Sequence, residues 1–244
     1  MKIAVTGALP HELKALLKHV KPQRRLPAHA FRITQVTYLF HEIVVVLTGI
    51  GTHNAEEALT SVLDAFNPDF ILSIGFGGAL YENASICDLV MATSVSLVSG
   101  NSVKTIQVPD ESRLLDRLGG RTSVRAGSFF TLETLMEKKA VKPLVPMDTA
   151  FPVCEMETFP LAELALARQV PFLALRSITD RLDEEISPEF LKVTDSTGLY
   201  HALKAAGLLL RKPQLIPMAA KLATRSRKAS EKLWQAFDSL ARVL

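Results

Sequence analysis

The chain has 244 residues, 48% of them hydrophobic and 22% charged, the profile of a packed globular protein rather than a disordered or low-complexity one. That length accommodates one large α/β domain with a full core, and no apolar run approaches the length of a membrane span. The net charge of +3 is unevenly spread, because residues 200–244 carry nine Lys or Arg against Glu231 and Asp238, a net +7 that leaves −4 for the rest.

From the N-terminus, "KIAVTGAL" is a short apolar run ending at Gly7, followed by Pro10 and a helical pattern through Leu13, Leu16, Leu17 and Val20. The acidic residue and proline of "MKIAVTGALPHEL" fall where a signal peptide would continue its apolar region, so the expected location is cytoplasmic. "EIVVVLTGIG" repeats the strand form, with a helix after it marked by Ala55, Ala58, Leu59, Val62, Leu63 and Phe66, and "DFILSIGFGGAL" is a third buried strand ending in glycines. Further on, "DLVMATSVSLV", "VCEME" and "VPFLALRSITD" are predicted strands, with the helix "PLAELALARQ" between the last two. This alternation predicts a single α/β domain with a twisted, mixed but mostly parallel sheet flanked by helices. Cys87 and Cys154 stand at unrelated spacing, which argues against a disulfide framework or a zinc site and for buried small side chains.

In such sheets ligands bind beyond the carboxyl ends of the strands, and acidic residues collect there. Glu12 lies in the first turn after "IAVTG", Glu155 and Glu157 follow "FPVC", and Asp180 follows "FLALRSIT" with Arg176 in the same strand. Pro160 suits the first turn of a helix, where its missing N–H costs nothing. Glu155 and Glu157 therefore belong to a strand-to-helix connection and are expected to face a ligand rather than the core. A carboxylate near a helix N-terminus can merely complement the helix dipole, but the convergence of several from distant parts of the chain favours a site. The glycines of "TGIGTHN" and "SIGFGGAL" let backbone approach a ligand, yet Asn54 and Leu80 stand where a dinucleotide fingerprint needs its third glycine, and no Gly-Lys-Ser/Thr of a P-loop occurs.

Together "MKIAVTGALPHEL", "LTGIGTHNAEEAL", "SIGFGGAL…DLV", "AGSFF", "EMET" and "FLALRSITDRLDE…SPEFLKV" resemble the nucleoside phosphorylase and nucleosidase superfamily, in layout most like its methylthioadenosine/S-adenosylhomocysteine nucleosidases, colinearly from Met1 to Val193. The resemblance implies cleavage of the N-ribosidic bond of a purine nucleoside without a cofactor or metal. It implies Glu12 as the base that activates the attacking water, Glu157 on the ribose hydroxyls with Met156 against the sugar, and Arg176 beside water and sugar. Asp180 would be the acid at purine N7, directly or through Thr179, and Phe130 the aromatic under the base. Glu155, Phe129, Ile50, Phe76 and Gly77 complete the expected substrate shell. The chemistry suits those residue types: breaking the bond builds positive charge on the sugar and negative charge on the leaving base, as in glycoside hydrolysis.

Three positions depart from the superfamily pattern. Phe76 stands where a serine generally contacts the water or phosphate, Ser73 where phosphorylase members place an arginine, and Ser128 where an acidic residue is common. The second change tilts the reading toward hydrolysis, since a phosphate dianion lacks an obvious partner. Phosphorolysis and a non-catalytic nucleoside-binding protein remain the alternatives.

Residues 199–244 are expected to form a basic helical extension to the 1–198 domain, with Leu233, Phe237, Leu240 and Leu244 at spacings of 4, 3 and 4. Such a helix either packs on the domain or a second subunit of a homodimer, or attaches to an anionic membrane surface. Nucleic acid is not an expected partner, because no aromatic-basic platform accompanies it. A similar tail is a feature of the hopanoid-associated phosphorylase-like branch, which makes an adenosylated lipid a second candidate substrate.

Overall fold

The computed structural model describes residues 1–26, 31–109, 123–186, 189, 193 and 202–244. The boundary expected at 198/199 and most of the "SPEFLKV" stretch lie outside them. The described residues form one ten-stranded sheet with helices on both faces. Its strands are β1 (Lys2–Gly7), β2 (Lys21–Leu26), β3 (Arg32–Tyr38), β4 (His41–Leu47), β5 (Phe70–Ala79), β6 (Leu89–Ser99), β7 (Ser102–Gln107), β8 (Val124–Leu132), β9 (Val153–Glu155) and β10 (Phe172–Asp180). The helices are α1 (Pro10–His19), α2 (Thr52–Phe66), α3 (Lys138–Val141), α4 (Thr158–Ala167), α5 (Ala202–Arg211) and α6 (Ile216–Ala241).

The centre is parallel, as the strand–helix alternation predicts: β1 pairs in parallel with β4 and β5, β5 with β10, and β8 with β6 and β9. Antiparallel pairs supply the rest, with β2, β3 and β4 forming a meander at one edge and β7 folding back on β6. Because β10 pairs antiparallel with β6, and β9 antiparallel with β5, strands β5, β10, β6, β8 and β9 close into a ring. The strands that the sequence did not single out, β2, β3 and β7, are rich in polar residues and lack the apolar runs that mark the central strands. The segment "VCEME" is strand only through Glu155, since Glu157 already caps α4.

Period-two alternation divides the core. Ala4, Val44, Val46 and Ile71 face α2 and α4, packing with Leu59, Val62, Phe159 and Leu161. Ile3, Val5, Ile43, Val45 and Leu72 face the opposite way, onto Leu13 and Leu16 of α1 and Leu233, Phe237 and Leu240 of α6. The apolar stripe of the basic tail is thus buried: Leu233 and Phe237 are at most 1% exposed. Polar contacts fix the same interface. Tyr38 donates to Asp238 at 2.5 Å, and His41 Nε2 lies 2.8 Å from the Ala241 carbonyl. Ser230 accepts from the Ala15 N–H at 3.0 Å and donates to the Glu12 carbonyl at 3.3 Å. No helix among the described residues is long and apolar enough to cross a membrane.

Candidate functional site

The carboxyl ends of β1 and β4, the middle of β5 and β10, and the start of α4 surround one cleft. It is lined by Thr6, Gly7, Ala8, Glu12, Thr48, Ser73, Ile74, Glu157, Leu161 and Arg176. Three of the side chains expected at the sugar, Glu12, Glu157 and Arg176, therefore meet, although they come from opposite ends of the chain.

Glu12 is 5% exposed, and its carboxylate is held by backbone N–H groups. Ala8 and Leu9 donate to Oε2 at 2.7 and 2.8 Å, and Phe76 donates to Oε1 at 2.8 Å. These bonds need the Gly7–Pro10 turn, which brings two free N–H groups of the start of α1 back onto the side chain one turn later. Burial pushes the Glu12 carboxyl above the usual range, an effect only partly offset by Arg176 and the three N–H donors. A carboxylate of that kind is a better proton acceptor. Phe76 thus acts here through its backbone, while its ring is partly buried against the α1–α6 core.

Glu157 caps α4, and its Oε1 accepts from the Gly51 N–H at 2.9 Å. Gly51 has φ +99°, a conformation glycine adopts without strain, which turns that N–H into the cleft. Ile50 is half-buried beside it, its carbonyl accepting from Asn54 at 2.8 Å. Burial, then the charges of Glu155 and Glu12, push the Glu157 carboxyl up to about 8. The proximity of these acids is the reason.

Glu155 corrects the expectation that both carboxylates of "EMET" face a ligand. It is the last residue of β9 and points inward, where Oε2 accepts from Arg176 Nη2 at 2.8 Å, the Thr158 N–H at 2.8 Å and the Thr158 hydroxyl at 2.5 Å, with the Thr131 hydroxyl on Oε1. Burial raises its carboxyl, but Arg176 and the two threonine hydroxyls outweigh burial and hold it below the usual range. Glu155 therefore fixes Arg176. The guanidinium further donates from Nη1 to Ser73 Oγ at 3.1 Å and lies 5.7 Å from the Phe129 ring centroid. Phe129 is fully buried in the core, so it supports Arg176 from behind instead of joining a substrate shell.

Asp180 belongs to a second polar cluster. Its Oδ2 makes an ion pair with Lys138 and its Oδ1 accepts from the Thr179 hydroxyl at 2.9 Å. Lys138, 4% exposed, also donates to the Arg181 and Glu184 carbonyls at 2.6 and 2.7 Å. A register shift between Ile178 and Asp180 marks a bulge in β10 that re-aims the carboxylate. Cys154 adjoins this cluster, and burial, reinforced by Asp180, pushes its thiol up to about 12. Phe130 is buried with Leu80, Leu132 and Val141, and Met156 packs partly buried on the same group, so the expected base-stacking ring and the expected sugar-packing methionine belong to one apolar cluster.

The two clusters are in tandem along β5. Gly75 is opposite Arg176 and Gly78 opposite Asp180 in the β5–β10 register, three residues or ~10 Å apart along the strand. A Cβ at Gly75 would lie 2.9 Å from Glu12 Oε1, one at Gly78 2.6 Å from Asp180 Oδ2, and one at Gly77 would overlap Val153 Cγ1. The "GFGG" glycines lie inside β5, and their role is to admit the site side chains and β9. That corrects the expectation that they offer backbone to a ligand.

Lys138, Thr131, Thr158 and Thr6 were not legible as site residues: Lys138 sits in the charged run "EKKAVKP" and the threonines in ordinary strand or cap positions. Ser128, in place of the superfamily's acidic residue, accepts from Ser94 at 2.8 Å. Among the described residues no group of three His, Cys, Asp or Glu side chains is arranged to hold a metal ion.

A 5'-methylthioadenosine/S-adenosylhomocysteine nucleosidase from Bacillus velezensis is 25% identical over 82% of this chain and 94% of its own length. The protein of that description from Shewanella piezotolerans is 23% identical over 86% and 99%. Among solved structures, the Helicobacter pylori 5'-methylthioadenosine/S-adenosyl homocysteine nucleosidase superposes with a TM-score of 0.74 at 18% identity, covering 100% of this chain and 99% of that one. The native futalosine hydrolase of Helicobacter pylori superposes at 0.75 and 17%, covering 100% and 98%. These likenesses establish the fold. The phosphorylase superfamily model matches residues 2–210, and the chain belongs to that superfamily.

Proposed function

We propose that this protein hydrolyses the N-ribosidic bond of an adenine nucleoside, releasing free base and a ribosyl product. The observation that carries this reading is the tandem arrangement along β5 and β10. A cleft holding Glu12, Glu157 and Arg176 is followed, within a span of the order of one nucleoside, by the Asp180–Lys138 cluster. Relatives described as methylthioadenosine/S-adenosylhomocysteine nucleosidases over most of the chain support the same substrate class.

In this reading the water oxygen bonds to the anomeric carbon and loses a proton to Glu12, while the carbon–nitrogen bond breaks with its electron pair going to the purine. The purine takes a proton at N7 from the Asp180–Lys138 pair, directly or relayed by the Thr179 hydroxyl, and that pair is reprotonated from solvent before the next turnover. Glu157 accepts hydrogen bonds from the ribose hydroxyls through its carboxyl oxygens. Arg176, held by Glu155 and Ser73, borders the water and sugar. Water is favoured over phosphate because Glu12 and Glu157 flank the cleft, and the guanidinium that lines it is already engaged by Glu155. A dianion there would meet two carboxylates against a single guanidinium whose charge Glu155 already offsets.

The assay is release of adenine from methylthioadenosine, S-adenosylhomocysteine, adenosine and an adenosylated lipid, with and without phosphate. Free ribosyl product at equal rates in both conditions is expected. Ribosyl 1-phosphate formed only with phosphate would replace hydrolysis by phosphorolysis, and binding without turnover of any substrate would make this a nucleoside-binding protein. Any homodimer would be detected by sedimentation. Binding to anionic vesicles would have to use a surface other than the Leu233–Phe237–Leu240 stripe, which is already packed in the core.

A further inference from the structure

Two buried polar atoms on the cleft have no hydrogen-bond partner in the protein: the Thr6 hydroxyl and the Nε–H of Arg176. Thr6 is 1% exposed and Arg176 2%. Buried donors without partners are rare and costly, so their pairing on one cleft calls for a third group that satisfies both. Thr6 sits at the end of β1 in register with Ser73, whose hydroxyl already receives Arg176 Nη1. Arg176 Nε and Glu12 Oε1 both approach the space above Gly75, at 3.3 and 2.9 Å from where its Cβ would be. Glu12 Oε1 accepts one N–H in the protein, from Phe76, and a carboxylate oxygen can accept a second bond. The cleft therefore offers one donor, one donor–acceptor and one acceptor around a common space.

We propose that Thr6 holds the attacking water, together with Arg176 Nε and Glu12. This deepens the hydrolase reading and rests on it. One water satisfies all three: it accepts from Arg176 Nε, exchanges a hydrogen bond with the Thr6 hydroxyl, and donates to Glu12 Oε1. As the oxygen bonds to the anomeric carbon its proton passes to Glu12, and the Thr6 hydroxyl keeps its own proton throughout. The base leaves with the electron pair of the broken bond. The role uses a residue whose type alone, a threonine in a strand, carries no signal.

The test compares wild type, Thr6→Val and Thr6→Ser on whichever adenine nucleoside the wild type cleaves, with thermal unfolding measured alongside. Thr6→Val removes the hydroxyl at constant shape. It is expected to lower kcat by about tenfold or more with KM within about threefold, and to leave Tm unchanged or raised, because an unpaired buried hydroxyl is replaced by a methyl. Thr6→Ser is expected to keep most of the activity. Thr6→Val turning over at the wild-type rate, or Thr6→Ser as slow as Thr6→Val, overturns the assignment alone. A wild type that frees no base overturns it together with the hydrolase reading. A loss of both Tm and activity in Thr6→Val would show a packing role in its place.

Discussion

Replacing Glu157 by glutamine tests the electrostatics of the cleft through stability. The Glu157 carboxyl titrates at about 8 in the folded chain, raised first by burial and then by Glu155 and Glu12, against an ordinary value near 4.5 in the unfolded chain. Because the folded value lies above the unfolded one, the stabilising contribution is complete below the unfolded pKa and is lost as pH rises through about 8. Each unit corresponds to about 1.4 kcal/mol, so the full penalty above that range is ~5 kcal/mol and the part accumulating between about pH 5.5 and about pH 9 is ~3 kcal/mol. A glutamine at this position cannot ionise, yet its side-chain carbonyl can still accept the Gly51 N–H. The Glu157→Gln variant is therefore expected to gain ~3 kcal/mol on the wild type between those two pH values in urea unfolding, while losing activity because an amide nitrogen replaces one of the two oxygens that accept from the ribose hydroxyls. A stability difference between variant and wild type that is the same at both pH values would refute the reasoning, since it would mean that Glu157 does not carry the shared strain of the three acids.

Lys138→Met leaves Asp180 buried without its cation and strips the Arg181 and Glu184 carbonyls of a donor; a loss of ~3–5 kcal/mol by chemical unfolding is expected, and adding Asp180→Asn should recover part of it. Glu155→Ala removes the acceptor of Arg176 Nη2 in a fully enclosed setting, and should cost a similar ~3–5 kcal/mol, with loss of turnover measured at a temperature where the variant stays folded. Phe237→Ala opens a cavity between α6, α1 and the sheet, and a fall of ~3–5 kcal/mol is expected from denaturant titration.

The sheet's parallel centre was legible because β1, β4, β5 and β10 are buried on both faces and read as unbroken apolar runs. The β2–β3 edge was not, because "RITQVTY" has only Ile33 and Val36 buried, three residues apart and so on opposite faces, which gives neither an apolar run nor a period-two pattern. Glu12 and Glu157 could be placed together since each stands at a helix start behind a strand, and parallel topology brings those ends to one side; Arg176 followed because it shares a strand with Asp180. Glu155 could not be told from Glu157 by spacing: two residues apart, they look equivalent on a strand, and only the turn into α4 after Glu155 sends one inward to Arg176 and the other into the cleft. Lys138 was hidden for a different reason. A lysine in a charged run reads as solvated, and its burial depends on Asp180, 42 positions on, being re-aimed by the β10 bulge.

The C-terminal helix bears on the site through energetics as well as contact. Two buried acids on one cleft, with Glu155 close behind, is a destabilising arrangement, as the raised Glu12 and Glu157 carboxyls record, and something outside the cleft has to offset it. Helix α6 buries Leu233, Phe237 and Leu240 against α1 and the sheet, and at ~1.5–3 kcal/mol for each side chain that burial is of the size of the Glu157 penalty. It also acts locally at both ends of the site. Ser230 bonds the Glu12 carbonyl and the Ala15 N–H on α1, while Arg225 donates to the Thr179 carbonyl at 3.0 Å and to Glu184 at 2.6 Å, beside Asp180. The helix that looked from its charge like a surface attachment is therefore a brace whose inner face is spent on the body. Its basic side contributes where it meets Glu184, on which Lys221 and Arg225 converge and whose carboxyl they hold far below the usual range. That ties the loop after β10, whose carbonyls hold Lys138, to the same helix that supports Glu12, so the two polar clusters of the site are fixed relative to each other from outside the sheet.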